Sequence, residues 1–151
     1  KTPDDWKRVA DRYNRLGMLA RTAGLRFAYH NHAFELARFP DGSTGLDTLL
    51  SRTNRELVDF EMDIYWVVKG EADPMDFITR YPGRFSLMHV KDATAAPERK
   101  MTDVGSGTID FPAIFARAST SGMRHAFVEH DEPVDPIASA TSSYRYLASL
   151  E

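Results

Sequence analysis

Leu57-Val58-Asp59-Phe60-Glu61-Met62-Asp63 is the stretch on which the fold turns. It reads as a short strand, one of a series that alternates with helices along the chain. It ends on the carboxylate of Asp63. Downstream, Asp73-Pro74 opens a helix that runs to Arg80, with the acid as cap and the proline in the first turn. Three more strands flank it in the chain: Leu25-Arg26-Phe27-Ala28-Tyr29-His30 before it, then Phe85-Ser86-Leu87-Met88-His89-Val90 and His125-Ala126-Phe127-Val128-Glu129 after it.

Helices are expected between the strands. Ser43-Thr44 caps one that reaches about Ser51, Asp110-Phe111-Pro112 starts one that ends near Gly122, and Asp135-Pro136 opens the last. Ile137, Ala140, Tyr144, Leu147 and Leu150 lie roughly on one face of that last helix. A first helix precedes everything. Thr2 caps it, Pro3 takes its first turn, and Asp4 and Asp5 suit its positive end. Trp6, Val9, Ala10, Tyr13, Leu16, Leu19 and Ala20 follow at helical spacing up to a stop at Gly24, with Gly17 a weak point on the way.

One helix and four strand–helix units of roughly 30 residues each predict an α/β fold, a parallel sheet with helical crossovers. Four units are half of a (β/α)8 TIM barrel. A doubly wound open sheet is the alternative. It usually carries a Gly-rich phosphate turn after its first strand; this chain has His30-Asn31-His32 there.

Composition narrows the function. The 151 residues are 42% hydrophobic and 27% charged, which is a globular composition and enough for one domain, residues 1–151. A formal net charge of -3 gives no footprint for nucleic acid or an anionic membrane. No apolar run approaches transmembrane length. The absence of cysteine excludes a disulfide scaffold and a thiolate metal site, so any metal must be held by His, Asp and Glu. It leaves the compartment open between cytoplasm and periplasm. Lys1-Thr2-Pro3-Asp4-Asp5-Trp6 has no apolar signal core and no initiator methionine, and is expected to be a helix start within a larger or processed protein.

In parallel α/β folds, functional groups gather at the carboxyl ends of the strands. The four ends here read His30-Asn31-His32, Asp63-Ile64-Tyr65-Trp66, His89-Val90-Lys91-Asp92 and Glu129-His130-Asp131-Glu132. A single His or Asp at a strand end is ordinarily a cap or a solvated group. Four ends in succession point to a shared site, with His30, Asp63, His89 and Glu129 as ligands of one divalent metal. Imidazole and carboxylate ligands suit zinc, manganese, cobalt, magnesium or iron without selecting among them. Strand alternation pairs His30 with His32, Glu61 with Asp63, His89 with Lys91 and Glu129 with Asp131 on common faces. Tyr65 and Trp66 are either a sugar-stacking surface or core at the rim. Asp103-Val104-Gly105-Ser106-Gly107-Thr108 lacks the Gly-Lys-Ser/Thr of a P-loop. It is either a turn before the Asp110 helix or a mobile loop over the site.

Several of these segments carry a resemblance. Tyr29-His30-Asn31-His32-Ala33-Phe34-Glu35, Phe60-Glu61-Met62-Asp63-Ile64-Tyr65-Trp66, Leu87-Met88-His89-Val90-Lys91-Asp92, Asp103 to Phe111, and Phe127-Val128-Glu129-His130-Asp131 resemble the xylose isomerase-like sugar phosphate isomerase/epimerase barrels. The resemblance implies a TIM barrel of which this chain is the carboxyl-terminal half, helix four through helix eight. It implies metal ligands at Asp63, His89 and Glu129. The strand-five ligand of the sugar epimerases is usually a glutamate, and His30 stands at the matching position. Glu35, in the following loop, is a weak substitute.

The implied chemistry is enolisation of a sugar, keto-sugar or cyclitol at a Lewis-acidic metal. Glu129 is expected as ligand and base, with His32 or Lys91 as proton donor or oxyanion partner. Isomerisation or epimerisation is the family default. His30 in place of a second glutamate moves the expectation towards a 3-keto-sugar lyase or dehydratase, and a sugar-binding module without turnover is the non-enzyme alternative. DNA-cleaving barrels of related sequence need more ligands and a basic groove, and neither is visible. Half a barrel leaves open strand edges, so the isolated chain is expected either to form a homodimer or to pair with a missing amino-terminal half.

Overall fold

A computed structural model describes residues 1–150. Helix α1 (Pro3–Thr22) opens with a reciprocal cap: the Thr2 hydroxyl accepts from the Asp5 N–H, and the Asp5 carboxylate accepts from the Thr2 N–H. Trp6, Ala10 and Gly17 form its buried face. A Cβ at Gly17 would lie 2.3 Å from the Leu57 carbonyl oxygen. The residue that weakens the helix locally is therefore the one that lets α1 lie against the entry to the second strand.

The chain continues through β1 (Phe27–His30), α2 (Gly45–Arg52), β2 (Val58–Asp63), α3 (Ile64–Lys69), α4 (Pro74–Arg80) and β3 (Phe85–Val90). A two-residue hairpin pairs β4 (Asp92–Ala93) with β5 (Met101–Thr102), and then come α5 (Phe111–Phe115), α6 (Ala118–Ser121), β6 (His125–Val128) and α7 (Pro136–Ala148). The main sheet has the order β1-β2-β3-β6 with every pair parallel. Each strand lies beside the next one in the chain, without the reversal of order that defines a doubly wound sheet. The sheet is an arc of a TIM barrel.

The register brings the carboxyl ends to one rim. His30 lies opposite Glu61, Asp63 opposite His89, and His89 opposite Phe127. A register shift between Phe60 and Glu61 adjusts β2 just below its functional end. On the outer face Val58, Phe60, Met62, Met88 and Val90 pack with Leu46, Leu49, Ile64, Val67, Phe77, Ile78, Phe111 and Ile114 in one buried cluster. Burial of each such side chain contributes about 2 kcal/mol. Strand β6 is exposed along its whole length, and it and β1 are the outer strands of the arc. Among the described residues no helix is long and apolar enough to cross a membrane.

Three local expectations are corrected. The first strand begins at Phe27, not Leu25, which is 66% exposed. The helix capped by Asp110 breaks into α5 and α6 around Ala116 and Arg117 and stops at Gly122, whose φ of 83° is left-handed. Helix α3 was not anticipated. It starts with no loop because Asp63, the last residue of β2, is also its N-cap.

Candidate metal centre

Asp63 is the most constrained residue of the rim. Its side chain is fully buried. Its Oδ1 accepts from the Trp66 N–H at 2.9 Å, as an N-cap should. Its main chain is held by Asn31: the Asp63 N–H donates to Asn31 Oδ1 at 3.0 Å, and Asn31 Nδ2 donates to the Asp63 carbonyl at 3.3 Å. Both neighbouring segments thus fix this carboxylate, and Oδ2 is left over. Oδ2 is buried and makes no hydrogen bond; Lys91 Nζ lies 3.2 Å from it but outside hydrogen-bonding geometry.

His30 and His89 complete a cluster around that oxygen. His30 Nε2 lies 3.8 Å and His89 Nδ1 3.7 Å from Asp63 Oδ2. One ligand atom from each of the three residues falls within 4.8 Å of the others. Glu129 follows β6 directly, and its N–H donates to the Val90 carbonyl, extending the ladder by one residue. Its Oε2 reaches His89 Nδ1 at 2.6 Å. The two imidazole rings are 4.6 Å apart at their centroids.

Lys91 is 1% exposed and closes the other side. Its ammonium lies 2.8 Å from both Glu129 Oε2 and Asp131 Oδ1. Burial works against the charge, but hydrogen bonds to Asp131 and Glu129 and the charge of Asp63 outweigh it and push Lys91 up to about 12. For Glu129, burial favours the neutral acid, yet Lys91 and His89 hold it below the usual glutamate range. Burial, then the neighbouring charges of His89 and His32, bring His30 down to about 4. That leaves it neutral near pH 7 with a free lone pair. Burial raises Asp63, offset in part by the Trp66 N–H and by Lys91.

Glu61, Asp63, Glu129 and Asp131 therefore surround neutral His30 and the single ammonium of Lys91. The surplus negative charge, the buried Asp63 Oδ2 with only the Lys91 ammonium beside it, and two imidazoles turned to it fit a divalent cation. Of the four expected ligands, His30, Asp63 and His89 form the common cluster, and Glu129 adjoins it through His89. Nothing in the donor set distinguishes zinc from manganese, cobalt, magnesium or iron.

The other expected residues fall into place unevenly. His32 sits on the outer rim, exposed, with its ring 4.9 Å from His30 in an edge-on arrangement. Glu35 is turned away from the centre. Its buried carboxylate accepts from the Tyr29 hydroxyl and from the His32 N–H, so it anchors the turn instead of holding metal. Tyr65 is packing: it is 4% exposed, and its hydroxyl donates to the Arg99 carbonyl. Trp66 does face the site, 5.3 Å from the His32 ring with Lys91 Nζ 5.8 Å from its own. The glycine-rich loop is fastened by Asp92, whose carboxylate accepts from the Gly105, Gly107 and Ile109 N–H groups. Those donors are used internally, and a Cβ on Gly107 would lie 2.3 Å from the Asp92 carboxylate.

Two contributors escaped sequence reasoning. Asn31 alternates away from His30 and His32, so its role as a clamp on Asp63 has no periodic signal. Glu61 shares the face of Asp63, and that pairing was the available clue, but only the register shows it between His30 and His89.

Comparison with known proteins agrees with this fold. The family model for xylose isomerase-like TIM barrels matches residues 1–150. An inosose dehydratase of Clostridium beijerinckii is 30% identical over 128 residues, which are 74% of this chain and 42% of that protein. An inosose dehydratase of Lacticaseibacillus casei is 29% identical over 137 residues, 80% of this chain and 45% of that one. The crystal structure of a sugar phosphate isomerase/epimerase from Parabacteroides distasonis superposes with a TM-score of 0.85 at 32% identity, covering 97% of this chain and 53% of that chain. The chain thus spans about half the length of these relatives.

Proposed function

The chain belongs to the family of xylose isomerase-like TIM barrels, and we propose that it is the strand-five-to-eight half of a divalent-metal-dependent enzyme that dehydrates a keto-cyclitol or related keto-sugar. The observation that carries the metal site is the buried Asp63 Oδ2, without a hydrogen bond and faced by His30 Nε2 and His89 Nδ1. Dehydration is favoured by the residue set at the rim. His30 stands at the end of β1 where a second glutamate would serve as a second base, and Glu129 is a partly exposed rim carboxylate in contact with His89 at 2.6 Å and Lys91 at 2.8 Å. The names of the two curated relatives, inosose dehydratases, point the same way.

A bound divalent cation would supply Lewis-acid polarisation of the substrate carbonyl. The protein's own groups do the rest. Glu129, kept ionised by Lys91 and His89, takes the proton from the carbon next to the carbonyl. The hydroxyl on the following carbon leaves with a proton as water, and the bond between the two carbons becomes double. Proton and hydroxide together account for the water released. Lys91, pushed up to about 12, is a fixed cation and a poor acid, so it stabilises the negative charge that develops on oxygen. His32 is the exposed group at the rim suited to deliver the proton to the departing hydroxyl. Trp66 offers an aromatic face to the apolar side of the sugar ring.

Isomerisation or epimerisation is the second reading, favoured by the 32% identity to the Parabacteroides structure. It uses the same proton abstraction and returns the proton to a different atom or face.

The test is an assay of full-length, metal-loaded protein against keto-cyclitols and keto-sugars, followed by the absorbance of the conjugated enone, in parallel with aldose/ketose and epimer pairs. Enone formation supports dehydration; interconversion without it supports the second reading. Sugar binding by calorimetry with no product in either assay would indicate a binding module. Unchanged metal content and turnover in both Asp63→Ala and His89→Ala would remove the metal centre itself.

A further inference from the structure

Glu61 lies on β2 two residues before Asp63, on the same inner face, and the proposed chemistry does not use it. Its side chain is mostly buried, 19% exposed. Its Oε1 lies 3.3 Å from His89 Nε2, and its Oε2 lies 3.6 Å from His30 Nδ1. These are the ring nitrogens opposite the ones turned to Asp63. Glu61 and Asp63 therefore flank the same two imidazoles from opposite sides, one oxygen of Glu61 to each ring.

A neutral imidazole has one N–H and one lone pair, and its neighbours decide which nitrogen has which. His89 Nδ1 makes a hydrogen bond of 2.6 Å with Glu129 Oε2, and a cation held by both atoms would take the place of the proton between them. With Nδ1 used as a ligand, the single proton of the ring lies on Nε2, facing Glu61. The same reasoning places the proton of His30 on Nδ1, which is buried and has no hydrogen-bond partner. A carboxylate has two acceptor oxygens, and Glu61 presents one to each ring, at 3.3 Å and 3.6 Å.

We propose that Glu61 is a shared positioning carboxylate, which accepts the N–H of both His30 and His89 and so directs His30 Nε2 and His89 Nδ1, as lone pairs, towards the cation. The inference rests on the metal centre argued under Proposed function. Orienting partners of this kind typically change metal affinity by about 10- to 100-fold when removed.

The test uses zinc as the probe and the full-length protein labelled with nitrogen-15 in histidine. Long-range proton–nitrogen spectra of the zinc-loaded protein should show His89 protonated at Nε2 and His30 at Nδ1. Glu61→Leu should weaken zinc binding about 10- to 100-fold and broaden or shift both histidine signals. Glu61→Gln is nearly isosteric and keeps one acceptor oxygen, so it should leave one ring oriented and lose less affinity. It also guards against a leucine variant that fails to fold, which thermal melts would reveal. Asp63→Ala should abolish zinc binding. Zinc affinity and histidine signals unchanged in both Glu61 variants, with Asp63→Ala still inactive in binding, would overturn the role of Glu61 and leave the metal centre standing. A loss in Glu61→Gln as complete as in Asp63→Ala would make Glu61 a ligand and overturn the positioning role. Failure of the wild-type protein to bind zinc, manganese or cobalt would remove the metal centre on which the inference rests.

Discussion

Asn31 and Asp63 hold each other across β1 and β2 by two hydrogen bonds, one each way between the Asn31 carboxamide and the Asp63 main chain. Both residues are almost fully buried. The clamp fixes the backbone from which the Asp63 carboxylate projects, and it ties the end of one strand to the end of the next. Asn31→Ala leaves a buried N–H and a buried carbonyl without partners and should cost about 2–3 kcal/mol, measured by urea denaturation. The same variant should weaken zinc binding with all four proposed ligands intact. Unchanged stability would show that water replaces the amide.

Lys91→Met removes the only ammonium among three carboxylates. Asp63 is fully buried, so its charge is left uncompensated, whereas Glu129 and Asp131 are partly exposed and recover solvation. The expected loss is about 3 kcal/mol, at the low end for breaking a buried pair. Bound zinc should restore part of it, because the cation neutralises the same carboxylates. Turnover should fall in kcat more than KM if Lys91 acts on charge that develops during reaction. A metal-free variant as stable as the wild type would contradict the electrostatic role.

Asp92 holds the loop through the Gly105, Gly107 and Ile109 N–H groups. Asp92→Ala should release that loop, seen as faster amide hydrogen exchange from Asp103 to Ile109 with little change in α1 or β2. The cost should be about 2–3 kcal/mol for donors left unpaired. Gly107→Ala should act in the same direction, because the added Cβ meets the Asp92 carboxylate and the Ala93 carbonyl at 2.3 Å. Uniform exchange across the whole chain would mean that the loop unfolds only with everything else.

Asp47 gives a pH signature away from the centre. Burial pushes its carboxyl up, but hydrogen bonds from Arg80, Thr44 and Tyr81 outweigh this and hold it below the usual aspartate value of 3.8. A carboxyl depressed in the folded state stabilises fully above the unfolded value and loses that contribution as pH falls through the folded one. Wild-type stability should therefore decline below about pH 4 more steeply than that of Asp47→Asn. Near neutral pH the variant should be about 1–2 kcal/mol less stable, having lost a capping acceptor and an ion pair. Parallel acid limbs in denaturation curves would dismiss the assignment.

Phe127 and Val128 are 48% and 41% exposed on β6, an outer strand of the arc. We propose that β1 and β6 pair with further strands, supplied either by the other half of a barrel or by a second copy. Sedimentation of the 151-residue chain should show dimers or larger species, and Val128→Lys should shift them towards monomer. A monodisperse monomer of the unaltered chain would count against pairing through these edges.

Much of this was legible locally. Thr2 with Asp5, Thr44 with Asp47, Asp73-Pro74 and Asp135-Pro136 each specify a helix start within three or four residues, and each does so in the structure. Four short apolar runs between helix signals marked the strands, and their carboxyl ends could be read as a common rim once the sheet was taken as parallel. His30, Asp63 and His89 meet there. The break between α5 and α6 was not legible, because nothing between Asp110 and Gly122 is a strong helix breaker beyond Pro112 in the first turn. Nor was α3, since Asp63 serves at once as strand end and helix cap.

Caps, periodicity and the absence of thiols are properties of neighbouring residues, so the chain alone specified the order of the four main strands, most helix starts and the polar rim. Which imidazole nitrogen faces which carboxylate depends on the register of β1, β2 and β3 and on the shift at Phe60/Glu61, interactions between residues some 30 positions apart. That long-range packing put Glu61 between two histidines, turned Glu35 away to Tyr29, and left one buried oxygen of Asp63 without a hydrogen bond.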